Sequence, residues 1–256
     1  MPKFLLIFSK DEPVRWLGHL DILRTFERAI RRAELPIAFS AGFNPREKIV
    51  FASALGTGIT GGAERAVIEL TQTIDPTDLL NRLNVTLPDG LYLHHCEELP
   101  PTLEKSALSG YDRGEYEVTL SLSAGISVLH IEQGIATLLN SDAVLIEREK
   151  EGKSKTVDIR PNLFALSLVE ESVTETRATI RMTVGQGENG TAKPGEVVTA
   201  LAQHLPGEKV TLRRSHRVRP IQRDVENARS LPAASEPISE ELQVQESIEE
   251  ETFALS

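Results

Sequence analysis

Apolar residues recur along the first hundred positions with the periods of strands and helices. Strand-like alternation is interrupted by stretches in which apolar residues return every three or four positions, the spacing of a helix with one buried face. Asp75 and Pro76 form a helix start, with Asp as the cap and Pro in the first turn. The predicted elements are strands at 3–9, 37–40, 48–53, 64–71 and 90–97 and helices at 14–34 and from Pro76, with a glycine-rich loop at 55–63.

The second part of the chain repeats this order without repeating the residues. We predict strands at 116–121, 143–150, 156–160, 163–169, 177–184 and 209–218, with helices at 127–140 and from Pro194. The order strand, helix, two strands, helix, strand is that of the ferredoxin-like plan. The sequence therefore predicts an α+β fold of two ferredoxin-like (βαββαβ) units in tandem, the second with an extra strand. The predicted domains are unit 1 at 1–100, a linker at 101–114, unit 2 at 115–221 and a disordered acidic tail at 222–256.

The first predicted helix carries two different faces. Its apolar arc is predicted to be buried against a sheet, and it contains Trp16, Leu20, Leu23, Phe26, Ile30 and Ala33. The opposite side gathers arginines at positions 24, 28, 31 and 32, namely Arg24, Arg28, Arg31 and Arg32. Two interpretations stay open for these guanidinium groups: a solvated face with local ion pairs, or a stripe that binds phosphates.

Other candidate binding residues follow in a turn and in the last strand. Phe43 lies at the tip of a Gly-Phe-Asn-Pro turn, where it either fills the core or stacks on a nucleotide base. Arg46 and Lys48 come directly after it. In the last strand, alternation is expected to place cationic side chains on one face, and these are Arg213, Arg217 and Arg219.

Candidate catalytic and metal-ligating residues are few. His19 is either a partly buried histidine or, as a weak catalytic candidate, a proton carrier. His94 and Cys96 share a strand face, but two ligands do not make a zinc site. We therefore predict no metal, no cofactor and, with His19 as the open alternative, no catalytic activity.

Composition narrows the class of protein. The 256 residues include one cysteine and no apolar run long enough to span a membrane, which is typical of a cytoplasmic protein without a membrane partner. The net charge of −10 is concentrated at the end, because residues 224–256 hold nine acids and one base and leave −2 for residues 1–223. Such asymmetry suggests an interaction tail or a solubilising end.

Several motifs resemble a bacterial family of radical-SAM-associated (radical-SAM-linked) proteins, a domain of unknown function. The similarity is strongest in Gly18-His19-Leu20-Asp21 and in Ser40-Ala41-Gly42-Phe43-Asn44-Pro45, where this chain has Ala41 in place of the family's acid. Members occur beside, or fused to, a radical-SAM enzyme and often lie near ribosome and ribonuclease genes. The resemblance implies an accessory protein, because a chain with one cysteine lacks the three that hold a radical-SAM cluster.

These observations give a leading hypothesis and two alternatives. The first is a non-catalytic accessory protein that binds RNA, such as tRNA or rRNA, through its arginine-rich surface and presents it to a radical-SAM enzyme. The second is a subunit that docks on that enzyme without contacting RNA. The third is an RNA-processing enzyme that uses His19.

Overall fold

The structure is a computed structural model and describes residues 1–103, 107–150, 152–187, 190–206 and 210–222. The predicted acidic tail lies outside these residues except for Gln222. The described part of the chain forms an α+β fold, as predicted. The described residues form one compact unit.

The helices and strands follow the predicted order with different bounds, with one exception. The strand predicted at 37–40 is wrong, because these residues make only the isolated bridges of Ile37 with Leu70 and of Phe39 with Glu47. The first half contains β1 (Lys3–Lys10), α1 (His19–Arg32), β2 (Ile49–Phe51), β3 (Ile59–Glu69), α2 (Pro76–Thr86) and β4 (Leu91–Leu99). The second half contains β5 (Tyr111–Ser121), α3 (Val128–Asn140), β6 (Leu145–Lys150), β7 (Lys153–Asp158), β8 (Leu163–Val169), β9 (Arg177–Gly185), α4 (Pro194–Ala202) and β10 (Thr211–Gln222). Short 3-10 turns occupy Glu12–Val14, Arg160–Asn162 and Glu170–Ser172.

One continuous sheet joins the two halves. Its order is β4-β1-β3-β10-β5-β9-β8, and β2 pairs with β3 beside this path. The two halves meet where Ser215–Arg217 of β10 runs parallel to Ile59–Gly61 of β3. The remaining strand pairs of the sheet are antiparallel, while β6 and β7 form a separate hairpin. One sheet runs through both halves, so the strands alone do not divide the chain. The division into two domains therefore stays a prediction.

Each half has its own hydrophobic core. In the first half, α1 and α2 pack on Phe4, Leu6 and Phe8 of β1. In the second half, α3 and α4 cover Val118 and Leu120 of β5. The cap predicted at Asp75 is confirmed, because its carboxylate accepts hydrogen bonds from the amides of Thr77 and Asp78 at 2.9 and 3.1 Å.

The prediction that Trp16 and Leu20 belong to the buried face of the first helix was wrong. The residues of α1 that are buried are Ile22, Phe26, Ala29 and Ile30, whereas Trp16 and Leu20 are 65% and 62% exposed. Trp16 precedes the helix, which begins at His19 after the N-cap Gly18, so its position on a helical wheel had no meaning.

The glycine-rich segment predicted as a loop belongs partly to β3, which begins at Ile59. Glycine is needed inside this strand because neighbouring groups approach closely. A Cβ on Gly61 would lie 2.6 Å from Oε1 of Glu64, and one on Gly62 would lie 3.2 Å from the carbonyl oxygen of Val218. The segment therefore brings the two halves of the sheet together.

Candidate functional site

A buried ion pair joins the two halves where β3 and β10 meet. Arg217 of β10 is 0% exposed, and Glu64 of β3 is 4% exposed. The guanidinium holds the carboxylate through two parallel hydrogen bonds, of which the one from Nε to Oε1 is 2.8 Å long. Its Nη1 also donates to the side-chain oxygen of Gln186 at 2.8 Å and to the carbonyl of Ala54 at 3.3 Å. Because every contact lies inside the protein, Arg217 is a structural residue.

Lys10 adds a second buried cation to this junction. Its ammonium group donates to the carbonyl oxygens of Arg15 and Leu17, both at 2.8 Å, and of Gly56 at 3.3 Å. Burial lowers the pKa of Lys10 to about 8, although the nearby Glu64 carboxylate acts in the opposite direction. The three carbonyl contacts fix the segment before α1 against the glycine-rich segment before β3. We call Lys10, Glu64 and Arg217 the buried junction.

His19 lies beside this junction and is half-buried. It lines a cavity of about 10 Å³ together with Lys10, Ser53 and Glu64, a volume that holds about one water molecule. The His19 ring meets Phe51 edge to face, with ring centroids 5.4 Å apart. The hydroxyl of Ser53 is buried without a hydrogen-bond partner in the described part of the chain, so the cavity has the size and polarity of a water site.

The arginines of α1 are mostly engaged within the protein. Arg31 donates through Nε and Nη2 to the buried carboxylate of Glu47 at 2.6 and 3.3 Å. Arg32 donates to the carbonyl of Thr86, and Arg24 lies 3.6 Å from Asp21. Arg28 is exposed, and within the described ranges its side chain has no carboxylate partner.

Some of the other predicted binding residues form ion pairs, and others are exposed. Lys48 pairs with Glu69 at 2.8 Å, and Arg219 pairs with Glu115 at 2.9 Å. Phe43 is fully exposed at the tip of its turn, so it does not fill the core. Arg46 and Arg213 are exposed, and no ion pair to a described residue engages their side chains.

The prediction that Arg213, Arg217 and Arg219 share one exposed face of the last strand was wrong. Arg213 and Arg219 are exposed, whereas Arg217 is buried with its neighbour Ser215. The pairing register with β5 shifts between Leu212 and Arg214 and again between Arg217 and Arg219. Irregularities of this kind interrupt the alternation of side chains along a strand.

The structure reveals a group of surface residues that sequence reasoning missed. The guanidinium of Arg15 lies 4.5 Å from the ring centroid of the exposed Trp16. Glu12 accepts from Arg15 at 2.9 Å and pairs with Arg214 of β10, also at 2.9 Å. We call Glu12, Arg15, Trp16, Leu20 and Arg214 the rim. The sequence contains a signal for the position of Trp16. Gly18 is the N-cap of α1, so the helix begins after Trp16.

The described residues contain neither a candidate metal cluster nor a candidate membrane-spanning helix. No cluster of three or more His, Cys, Asp or Glu side chains is positioned to hold a metal ion in the described ranges. None of the helices in the same ranges has the length and apolar character that a membrane crossing needs.

A family model described as "uncharacterized protein conserved in bacteria" (DUF2344) matches residues 3–194. The chain belongs to this family. No curated protein matches the chain. The family assignment and the sequence resemblance agree that the chain is a bacterial domain of uncharacterized function.

Solved structures are similar to this chain at low sequence identity. A chain of a Cbf5-Nop10-Gar1 complex is similar with a TM-score of 0.53 and 11% identity, over 86% of this chain and 50% of that one. A chain of an archaeal box H/ACA sRNP Nop10-Cbf5 complex has a TM-score of 0.46 and 10% identity, over 85% of this chain and 47% of that one. This chain thus spans about half the length of the chains it resembles.

Proposed function

We propose that this protein is a non-catalytic RNA-binding protein, and that it contacts phosphates through arginines that have no carboxylate partner in the described part of the chain. The observation that carries the proposal is the exposure of Arg28, Arg46 and Arg213 without such partners. An unpaired guanidinium offers its five donors to phosphate oxygens. The paired side chains of Arg31, Lys48 and Arg219 would contribute less, since their carboxylates already satisfy them.

The attraction proposed here is local. The whole chain carries a net charge of −10, and residues 1–223 carry −2, so neither attracts a polyanion over a long range. At the rim, two guanidinium groups share one carboxylate and leave an excess of one positive charge. Short-range phosphate contacts of this kind weaken as salt rises.

We also propose that the fold consists of two ferredoxin-like units, as the sequence pattern predicts. The strand order β4-β1-β3-β2 in the first half and β10-β5-β9-β8 in the second supports this proposal, with β6 and β7 as an inserted hairpin. The likeness to a chain of the Cbf5-Nop10-Gar1 complex concerns the fold and leaves the function of this chain to its own residues.

The proposed partner is a radical-SAM enzyme, to which the protein would present its RNA in the cytoplasm. This proposal is supported by the sequence resemblance in the Gly18-His19-Leu20-Asp21 and Ser40–Pro45 motifs. Affinity capture of the full chain from native cells, with bound proteins identified by mass spectrometry, tests it. Recovery of RNA without any radical-SAM enzyme would contradict the partner and leave RNA binding intact.

Binding of a labelled single-stranded RNA, followed by fluorescence anisotropy across a salt series, tests RNA binding. Each phosphate contact contributes about −0.7 to the slope of log affinity against log salt for a single strand. We expect Arg28→Gln and Arg213→Gln each to weaken binding and to make the slope less negative by about 0.7.

The matched control for this experiment is Arg181→Gln. Arg181 is also exposed, but it pairs with Glu117 at 2.6 Å and lies 3.9 Å from Glu115. The same loss of charge there should leave RNA affinity unchanged. Absence of binding at low salt, or equal losses in all three variants, would contradict the proposed surface.

A second candidate function is docking on a protein partner without RNA contact. The exposed apolar side chains of Trp16 and Leu20 favour it, because neighbouring exposed apolar groups mark interaction sites. This candidate predicts capture of the partner with no nucleic acid bound. The third hypothesis, catalysis by His19, requires that His19→Ala abolish RNA turnover while binding persists.

A further inference from the structure

The most exposed aromatic group near the meeting of the two halves is Trp16. It lies between the 3-10 turn Glu12–Val14 and the start of α1, and it is 65% exposed. Burying an indole removes a large apolar area from water. Leaving most of this ring in solvent therefore forgoes stabilisation that the free protein could have gained.

Trp16 is nevertheless held in place from two sides. Gly58 lies against its six-membered ring so closely that a Cβ there would be 3.0 Å from Cζ3 of the indole. Arg15 stacks over the ring at 4.5 Å, and Glu12 fixes that guanidinium at 2.9 Å. The segment beneath is fixed as well, because Lys10 donates to the carbonyls on either side of Trp16. The indole is thus an exposed but positioned platform.

The charges around this platform suit an anionic ligand with a flat apolar part. Glu12 is shared between Arg15 and Arg214, so the two arginines carry more positive charge than their common carboxylate neutralises. Arg213 is the residue directly before Arg214 in β10, and its side chain is exposed. An aromatic ring beside guanidinium groups is the combination that binds single-stranded nucleic acids, where the base stacks and the phosphate pairs.

We propose that Trp16 stacks on an unpaired RNA base, while Arg213 and the guanidinium groups of the rim contact the adjoining phosphates. This inference rests on the proposed RNA-binding function and adds the class of RNA to it. Bases inside a duplex are already stacked on their neighbours, so the platform selects single-stranded loops or ends.

Trp16 is the only tryptophan of the chain, so its fluorescence reports on this position alone. The full chain is titrated with an oligouridylate or with an RNA duplex of equal length. Binding is followed independently by the anisotropy of a label on the RNA. We expect the single strand to quench Trp16 in step with binding and the duplex to leave the emission almost unchanged.

Two substitutions at Trp16 separate stacking from charge. Trp16→Leu should weaken single-strand binding about tenfold, since the base loses the aromatic ring on which it stacks, while duplex binding stays the same. Trp16→Phe should keep most of the affinity. The matched control is Phe164→Leu in β8, at the end of the sheet away from β1 and β4. Phe164 is also an exposed aromatic ring beside a guanidinium group, because that of Arg113 lies 3.9 Å from its ring centroid. This control should change neither affinity.

The possible outcomes distinguish this inference from the function on which it rests. RNA binding without quenching of Trp16 would contradict the stacking but not the RNA-binding function. Equal affinity of Trp16→Leu and the wild type for the single strand would do the same. No change in anisotropy with either RNA would overturn both. Quenching by single strand and duplex alike would overturn the selectivity for unpaired bases.

Discussion

The buried junction and the rim lie next to each other, and both contain arginine, but their arginines behave differently. In the buried junction, Arg217 is enclosed with Glu64 and has no exposed surface. At the rim, Arg15 and Arg214 share a single exposed carboxylate, Glu12, beside an exposed indole. The first arrangement joins the halves of the molecule, and the second is the region that we propose to bind RNA.

This difference shows that the role of an arginine is decided by the carboxylates that the fold brings to it. Glu64 is separated from Arg217 by 153 positions, so no helical or strand spacing could have paired them. A positive side chain that the fold supplies with a buried carboxylate stabilises the structure. One that it leaves in solvent is available to an anion.

The largest expected effect is on the buried junction. Arg217→Met leaves the Glu64 carboxylate buried and without its partner, which should lower the free energy of unfolding by about 3–5 kcal/mol. Urea denaturation measures this change. Combining it with Glu64→Leu removes the uncompensated charge, so the double variant should regain most of the stability. A double variant no more stable than Arg217→Met would contradict the assignment.

A smaller effect is expected from tightening the same junction. Gly61→Ala would place a Cβ 2.6 Å from Oε1 of Glu64 and 2.9 Å from Cδ2 of Leu55, which should cost about 1–3 kcal/mol of unfolding free energy. Gly195→Ala in α4 is the control, because its Cβ would meet no atom within 4 Å. Equal changes in melting temperature in the two variants would show that the junction accommodates a methyl group and would contradict its close packing.

The pH dependence of stability tests the burial of Lys10. Its pKa is lowered from 10.5 to about 8 in the folded chain, chiefly by burial. Between these values the unfolded chain holds a proton that the folded chain has released, so raising the pH favours folding. The unfolding free energy of the wild type, minus that of Lys10→Met, should therefore rise through this window. A flat difference would mean that the carbonyl contacts keep Lys10 charged.

The smallest effect is expected at the rim. Trp16→Leu should change the free energy of unfolding by less than about 1 kcal/mol, because the side chain is mostly in solvent and loses chiefly its contact with Arg15. Thermal unfolding of the RNA-free protein measures this. A loss comparable with that of Arg217→Met would place Trp16 among the structural residues and contradict the contrast between the two regions.

The sequence predicted local features well and long-range pairings poorly. The cap at Asp75, the helix 127–140 and the α+β class follow from local spacing, and the structure agrees with them. The burial of Arg217 depends on Glu64 in the first half of the chain and on shifts of the pairing register in β10. The spacing of apolar residues predicts neither of these. The exposure of Trp16 was missed because the helix was begun too early, although Gly18 marks its N-cap.

Mapping of RNA crosslinks tests whether RNA binds at the rim and at the exposed arginines beside it. The full chain is irradiated with bound single-stranded RNA in low salt, and the modified peptides are identified by mass spectrometry. We expect nucleotide adducts in the segment from Arg15 to Arg28 and in the first part of β10, around Arg213. Adducts confined to other segments, or none above the level of a mixture without irradiation, would contradict it.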